Sequence, residues 1–220
     1  MKGTASPAPD MPRRRWLAAC LLVASLAACG RKAPRAQAVP REATVLALGD
    51  SLTSGVGASA DTAYPAELQR LTGWTVVNGG VSGNTSAQAL ERLPDLLRRH
   101  QPQLVIVSIG GNDFLRRQGT SATRDRVRQI CEQVRASGAQ VLLVAVPELS
   151  LLAAAGRLSD HALYKDIADE LRIPLHREGW STVLADARLR SDPIHANAAG
   201  YAQFARGLVD TLRDTGLLAH

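Results

Sequence analysis

From residue 44 onward, short unbroken apolar runs alternate with stretches in which apolar residues recur every three or four positions. The runs Thr44–Leu48, Trp74–Asn78, Gln103–Ile109 and Ala139–Val146, with a shorter one at Ile173–His176, predict buried strands. Between them lie helix patterns. One covers Tyr64–Leu71 and stops at Gly73. A second, capped by Asn84 or Thr85, carries Leu90, Leu93 and Leu97 on one face, and Pro94 is expected to kink or restart it. A third places Val127, Ile130, Cys131 and Val134 on one stripe. A fourth spans about Asp160–Leu171, and the last carries Tyr201, Phe204, Ala205, Leu208 and Leu212. Continuous apolar strands separated by amphipathic helices predict an α/β fold. Its parallel sheet would be covered by helices on both faces, in three layers. No internal repeat is visible. The stretch 42–220 suits one domain with a sizeable core.

The first 41 residues follow a different pattern. Arg13–Arg15 precede the apolar stretch Trp16–Ala28, which is too short to span a bilayer comfortably. Residues 1–29 therefore read as a signal peptide, with Met1 or Met11 as the start. Leu26-Ala27-Ala28-Cys29 resembles the lipobox of bacterial lipoproteins, in which the Cys is acylated and becomes the new N-terminus. That resemblance implies lipid attachment at Cys29 and a membrane partner. With Gly30 following, it points to the outer membrane, facing the periplasm. The alternative is an ordinary signal-peptide cysteine and soluble export to the periplasm. Residues 30–41, rich in Ala, Pro, Arg and Lys, read as a flexible linker.

Charge sharpens this division. The chain carries a formal +6, but eight Lys/Arg against one Asp lie before Glu42, leaving 18 basic and 19 acidic residues for the domain. The positive balance belongs to the export segment and its linker, so nucleic acid is not an expected partner. Beyond Cys29 the one remaining cysteine is Cys131, on an apolar helix stripe. It is expected in the core, and no disulfide is expected within the domain. No His/Cys/Asp cluster has metal-ligand spacing, so no metal is expected.

Four strand-end or helix-entry segments carry the candidate chemistry: Gly49-Asp50-Ser51-Leu52, Asn78–Thr85, Gly110-Gly111-Asn112-Asp113 and Asp192-Pro193-Ile194-His195. In a parallel sheet the carboxyl ends of the strands share one edge, so these segments converge. Ser51 has a hydroxyl that becomes a nucleophile only when a base removes its proton. His195 is a suitable base, and Asp192, three residues earlier, is placed to orient it. Asp50 is expected to order the turn. Ser51–Gly57 superficially resembles a phosphate loop but lacks the Gly-Lys-Ser/Thr ending, which argues against a nucleotide site.

Taken together, the four segments resemble the four blocks of the SGNH hydrolases, also called GDSL esterases/lipases, in order and spacing over about Thr44–Leu212. The Ser-Gly-x-Thr second block and Arg92–Leu97 are most similar to the bacterial multifunctional thioesterase/lysophospholipase/arylesterase group. The resemblance implies a flavodoxin-like, five-stranded parallel sheet. It also implies a serine esterase acting on ester or thioester bonds through Ser51, His195 and Asp192, by an acyl-enzyme route that needs no cofactor. The oxyanion donors it implies are the Ser51 N–H, the Gly83 N–H and the Asn112 side chain. The competing readings are a carbohydrate O-deacetylase of the same family and a non-catalytic acyl- or glycan-binding lipoprotein.

Substrate-contacting candidates come from apolar residues near these blocks. Phe114 and Leu115 follow Asn112, and Leu149 and Leu151 lie in the Leu-rich stretch after the fourth strand. That stretch reads equally as an acyl-groove wall or as a packed surface loop.

Overall fold

The computed structural model describes residues 1, 3–4, 36–148 and 158–219. The chain divides into two units at Pro34/Arg35, and every described strand and helix lies in the second. Cys29, Leu149, Leu151 and the start of the linker lie outside the described residues.

Five strands form one parallel sheet: β1 (Thr44–Gly49), β2 (Thr75–Gly80), β3 (Leu104–Ser108), β4 (Gln140–Val144) and β5 (Leu175–His176), in the order β2-β1-β3-β4-β5. Val45–Leu48 and Leu104–Val107 are fully buried. This explains their unbroken apolar sequence: both faces of a central strand meet side chains rather than water.

The helices are α1 (Ser51–Ser54), α2 (Tyr64–Thr72), α3 (Ser86–His100), α4 (Gly111–Leu115), α5 (Thr120–Ala136), α6 (Leu163–Leu171), α7 (Gly179–Ala185) and α8 (Ala198–Asp214). They pack in two groups, α2 with α7 and α8, and α3 with α5 and α6, with the sheet between them. This is the three-layer α/β/α architecture expected from the alternating pattern. Cys131 is buried on α5, and burial pushes its thiol up to about 12, as a core position requires.

Three differences from the sequence reading have physical causes. First, α3 runs unbroken through Pro94. Thr85 caps it, with Gln88 completing a capping box, and Ala89 and Leu93 are buried. These contacts outweigh the roughly 3 kcal/mol that an interior proline costs. Second, Gln37 and Val39 already pack against the domain ahead of Glu42. Val39 is 4% exposed and its N–H donates to Leu217 O at 2.8 Å. Gln37 and Gln140 exchange hydrogen bonds of 2.9 and 2.7 Å. A single apolar residue inside a Pro/Ala-rich stretch gave no periodic signal. Third, the short elements α1, α4 and α7 and the hairpin β6 (Arg190–Asp192) with β7 (His195–Ala196) had no counterpart in the pattern. Each is too short to show a period.

Candidate active site

The carboxyl edge of the sheet gathers all four segments. β1 must turn sharply after Gly49, where a Cβ would collide with Thr53 Oγ1 and with the Ser108 carbonyl. Asp50 then caps α1, its Oδ1 accepting the Leu52 N–H at 3.1 Å. Ser51 is the first residue of α1, so its own N–H has no helical acceptor and is left for another partner.

The second segment is a tight turn. The Asn84 N–H donates to Val81 O at 3.0 Å, and Gly83, third in that turn, has φ +79°. Only glycine takes that conformation without strain. In the third segment Asn112 Nδ2 donates to Asn84 O at 3.0 Å and lies 3.5 Å from Asp50 Oδ2. Its two hydrogens are thus both donated, and the long bond to Asp50 is the one a ligand oxygen could replace. The neighbouring Asp113 is buried. It accepts from Ser86 N at 2.7 Å and Ser86 Oγ at 2.5 Å, with Arg126 Nη1 at 3.7 Å. It anchors α4 to the start of α3.

The fourth segment is the β6–β7 hairpin, in which Asp192 pairs with His195. Asp192 Oδ1 accepts both the Ile194 and His195 N–H groups at 2.9 Å. Its Oδ2 lies 2.7 Å from His195 Nδ1, and His195 Nε2 lies 3.0 Å from Ser51 Oγ. The structure thus brings Ser51, His195 and Asp192 into one line of hydrogen bonds across 144 residues of chain.

Electrostatics differ along that line. At Asp192 burial works against the charge, but hydrogen bonds from His195 and the Ile194 N–H outweigh it and hold the carboxyl below its usual range. Asp50 is deeply buried, and burial pushes it up to about 6 despite the Leu52 N–H and the nearby His195.

A cavity of about 160 Å³ opens over Ser51, Gly83, Asn112 and His195. Its apolar wall is Leu115, Val146, Pro147, Leu184 and Ile194. Of the two apolar residues after Asn112, Leu115 lines this cavity. Phe114 does not: its ring stacks on His161 at 4.6 Å. Successive residues on a helix point in different directions, so only one of the pair faces Ser51. Sequence reasoning missed Val146, Leu184 and Ile194, whereas Pro147 opens the Leu-rich stretch that it reads as a groove wall or a packed loop. Ile194 had a usable signal, since it sits between Asp192 and His195. Leu184 had none, because α7 was not expected. A larger cavity of about 590 Å³, between Gln37, Pro102, Gln103 and Gln140, contains no titratable side chain. Among the described residues, no cluster of three or more His, Cys, Asp or Glu side chains is arranged to hold a metal ion.

A parallel α/β sheet with a serine–histidine pair at its carboxyl edge defines a class, the hydrolases of α/β fold that carry such pairs on strand-end turns. Comparison with known proteins narrows this class. The profile of the GDSL-like Lipase/Acylhydrolase family matches residues 47–203. The chain belongs to that family, and it is an ester-bond hydrolase. It is 41% identical over 162 residues to thioesterase 1/protease 1/lysophospholipase L1 of Escherichia coli K12, covering 70% of this chain and 76% of that protein. It is 36% identical over 108 residues to esterase TesA of Pseudomonas aeruginosa, covering 47% and 54% respectively. A crystal structure of TesA superposes with a TM-score of 0.69 at 28% identity, over 78% of this chain and 99% of that one.

Proposed function

We propose that the chain is a serine esterase that cleaves carboxylic esters and thioesters through an acyl-enzyme. The observation that carries this reading is the 3.0 Å separation of Ser51 Oγ and His195 Nε2, with Asp192 2.7 Å behind the ring at Nδ1. Asp192 favours the tautomer with hydrogen on Nδ1, which leaves Nε2 free to accept the serine proton. Ser51 Oγ attacks the acyl carbon as its proton passes to Nε2. The carbonyl oxygen becomes an oxyanion, held by the Ser51 and Gly83 N–H groups and by the Asn112 Nδ2 hydrogen that gives up its 3.5 Å contact with Asp50 Oδ2. The bond to the leaving oxygen or sulfur breaks, and the proton on Nε2 goes to the departing group. Water then gives a proton to Nε2 and its hydroxyl to the acyl carbon. Collapse breaks the bond to Ser51 Oγ, returns the proton to serine and releases the carboxylic acid. The apolar wall opposite supports an acyl group as the moiety retained. Names of relatives such as thioesterase and lysophospholipase point the same way.

Hydrolysis of p-nitrophenyl acetate, butyrate and octanoate tests this. Ser51→Ala is expected to abolish turnover, and Asn112→Ala to lower kcat by about 10²–10³-fold. Turnover by Ser51→Ala at the wild-type rate would remove the reading. The lipobox sequence further supports tethering through an acylated Cys29 on the periplasmic side of the outer membrane. Labelling with radioactive palmitate is expected in the wild type and absent in Cys29→Ala; equal labelling, or none in either, counts against the tether.

A further inference from the structure

One arginine outside the four segments touches two of them. Arg92, on α3, donates from Nη2 to the Gly49 carbonyl at 2.8 Å and from Nε to Asn84 Oδ1 at 2.8 Å. Both acceptors are already junctions. Gly49 O also takes the Val81 N–H at 3.2 Å, which joins the end of β1 to the start of the Gly83 turn. Asn84 closes that turn through its N–H on Val81 O, and its carbonyl accepts Asn112 Nδ2. One guanidinium therefore contacts the peptide two residues before Ser51 and the residue following Gly83. Through Asn84 O it also reaches the Asn112 amide.

We propose that Arg92 is a positioning residue for the oxyanion hole, setting the spacing between the Ser51 and Gly83 N–H groups and the Asn112 amide. The inference rests on the serine-esterase reading above. A planar fork suits the task because Nε and Nη2 are held at a fixed angle, so two acceptors on different segments are locked relative to each other. A lysine ammonium on a flexible stem offers no such constraint. The side chain is part-buried, which raises the value of each charge-assisted bond. Desolvation lowers the guanidinium pKa, and nearby Asp50 opposes that shift. Arg98 on the same helix is a natural contrast. Its side chain is 74% exposed and its described partner is Asp95, on the same surface.

A displacement of about 1 Å at such donors costs about 10²-fold in rate. The test measures p-nitrophenyl butyrate hydrolysis per reactive serine, counted by fluorophosphonate titration, in the full chain. Arg92→Ala and Arg92→Lys are expected to lower kcat by about 10²-fold and about tenfold respectively, with KM changed less than about threefold. Methylguanidine is expected to restore part of the kcat of Arg92→Ala. The inhibition constant for butylboronic acid, whose adduct places an oxygen in the hole, is expected to rise in step with the fall in kcat. Arg98→Ala should match wild type. A merely structural role would lower the melting temperature and the titratable fraction but leave kcat per reactive serine unchanged. That result overturns the inference, as does a fall in kcat with an unaltered boronate constant. If Arg92→Ala fails to fold, Arg92→Lys carries the same comparison. Ser51→Ala in the same assay keeps the two claims apart: activity without Ser51 removes the esterase mechanism, whereas wild-type kcat in the Arg92 variants alongside an inactive Ser51→Ala removes only the clamp.

Discussion

The two halves of the site are built in opposite ways. The half bearing Ser51, Gly83 and Asn112 is assembled from residues far apart in sequence. Asn112 reaches Asn84 and Asp50, Ser86 reaches Asp113, and Arg92 reaches Gly49, over separations of 27 to 62 residues. Much of it is buried. Tyrosines reinforce it from behind: Tyr164 donates to Ile109 O and Tyr201 to Val56 O, each at 2.7 Å, at turns next to the blocks. The half bearing Asp192 and His195 is a hairpin whose key bonds span two or three residues, and the Asp192 side chain is 44% exposed. In the proposed mechanism the contrast matches the task of each half. Hydrogen-bond donors for a developing oxyanion work best when fixed before the reaction and shielded from water, which requires tertiary packing. A carboxylate orienting one imidazole needs only a short rigid turn, and the Asp192 bonds to two backbone N–H groups supply it.

The largest effect should come from breaking the local half without unfolding it. In Asp192→Asn the amide oxygen can still accept the Ile194 and His195 N–H groups, so the hairpin is expected to persist. Its NH₂ would then face Nδ1 and stabilise the tautomer with hydrogen on Nε2, which cannot accept the Ser51 proton. A fall in kcat of about 10³–10⁴-fold with an unchanged melting temperature is expected. A variant within about tenfold of wild type would mean that the hairpin orients nothing.

A smaller effect sharpens the buried half. Burial raises the Asp50 carboxyl from its ordinary 3.8 to about 6 in the folded protein. The native state therefore holds this proton more tightly than the unfolded chain does. Stability falls as pH rises from about 3.8 to about 6, and the penalty is constant above that. Its ceiling is about 3 kcal/mol, from the shift of roughly two pH units. Asp50→Asn removes the titration and keeps a cap-forming side chain. Denaturant melts at about pH 4 and about pH 7.5 should show the wild type losing up to about 3 kcal/mol more than the variant between the two. Parallel pH profiles would show that Asp50 is not held in a desolvated pocket.

The sequence reading succeeded where the physics is local. Strand cores such as Val45–Leu48 announce themselves by unbroken apolarity, and the Asp192–His195 pair by spacing alone. It left Phe114 and Leu115 undivided, and the structure puts only Leu115 at the cavity, because a five-residue helix has no period from which to read its facing. It failed at Val39 for a related reason: a lone valine carries no pattern.

By itself, then, the amino-acid sequence determined the alternation of strands and helices, the turn glycines and the short turn that joins Asp192 to His195, because each depends on neighbours a few residues away. The strand order β2-β1-β3-β4-β5, the 3.0 Å contact between Ser51 and His195, the Arg92 fork and the wall of Leu184 and Pro147 were decided only by the tertiary structure. These contacts join segments that share no local signal, and they form because burying the strands on both faces brings their carboxyl ends to one edge.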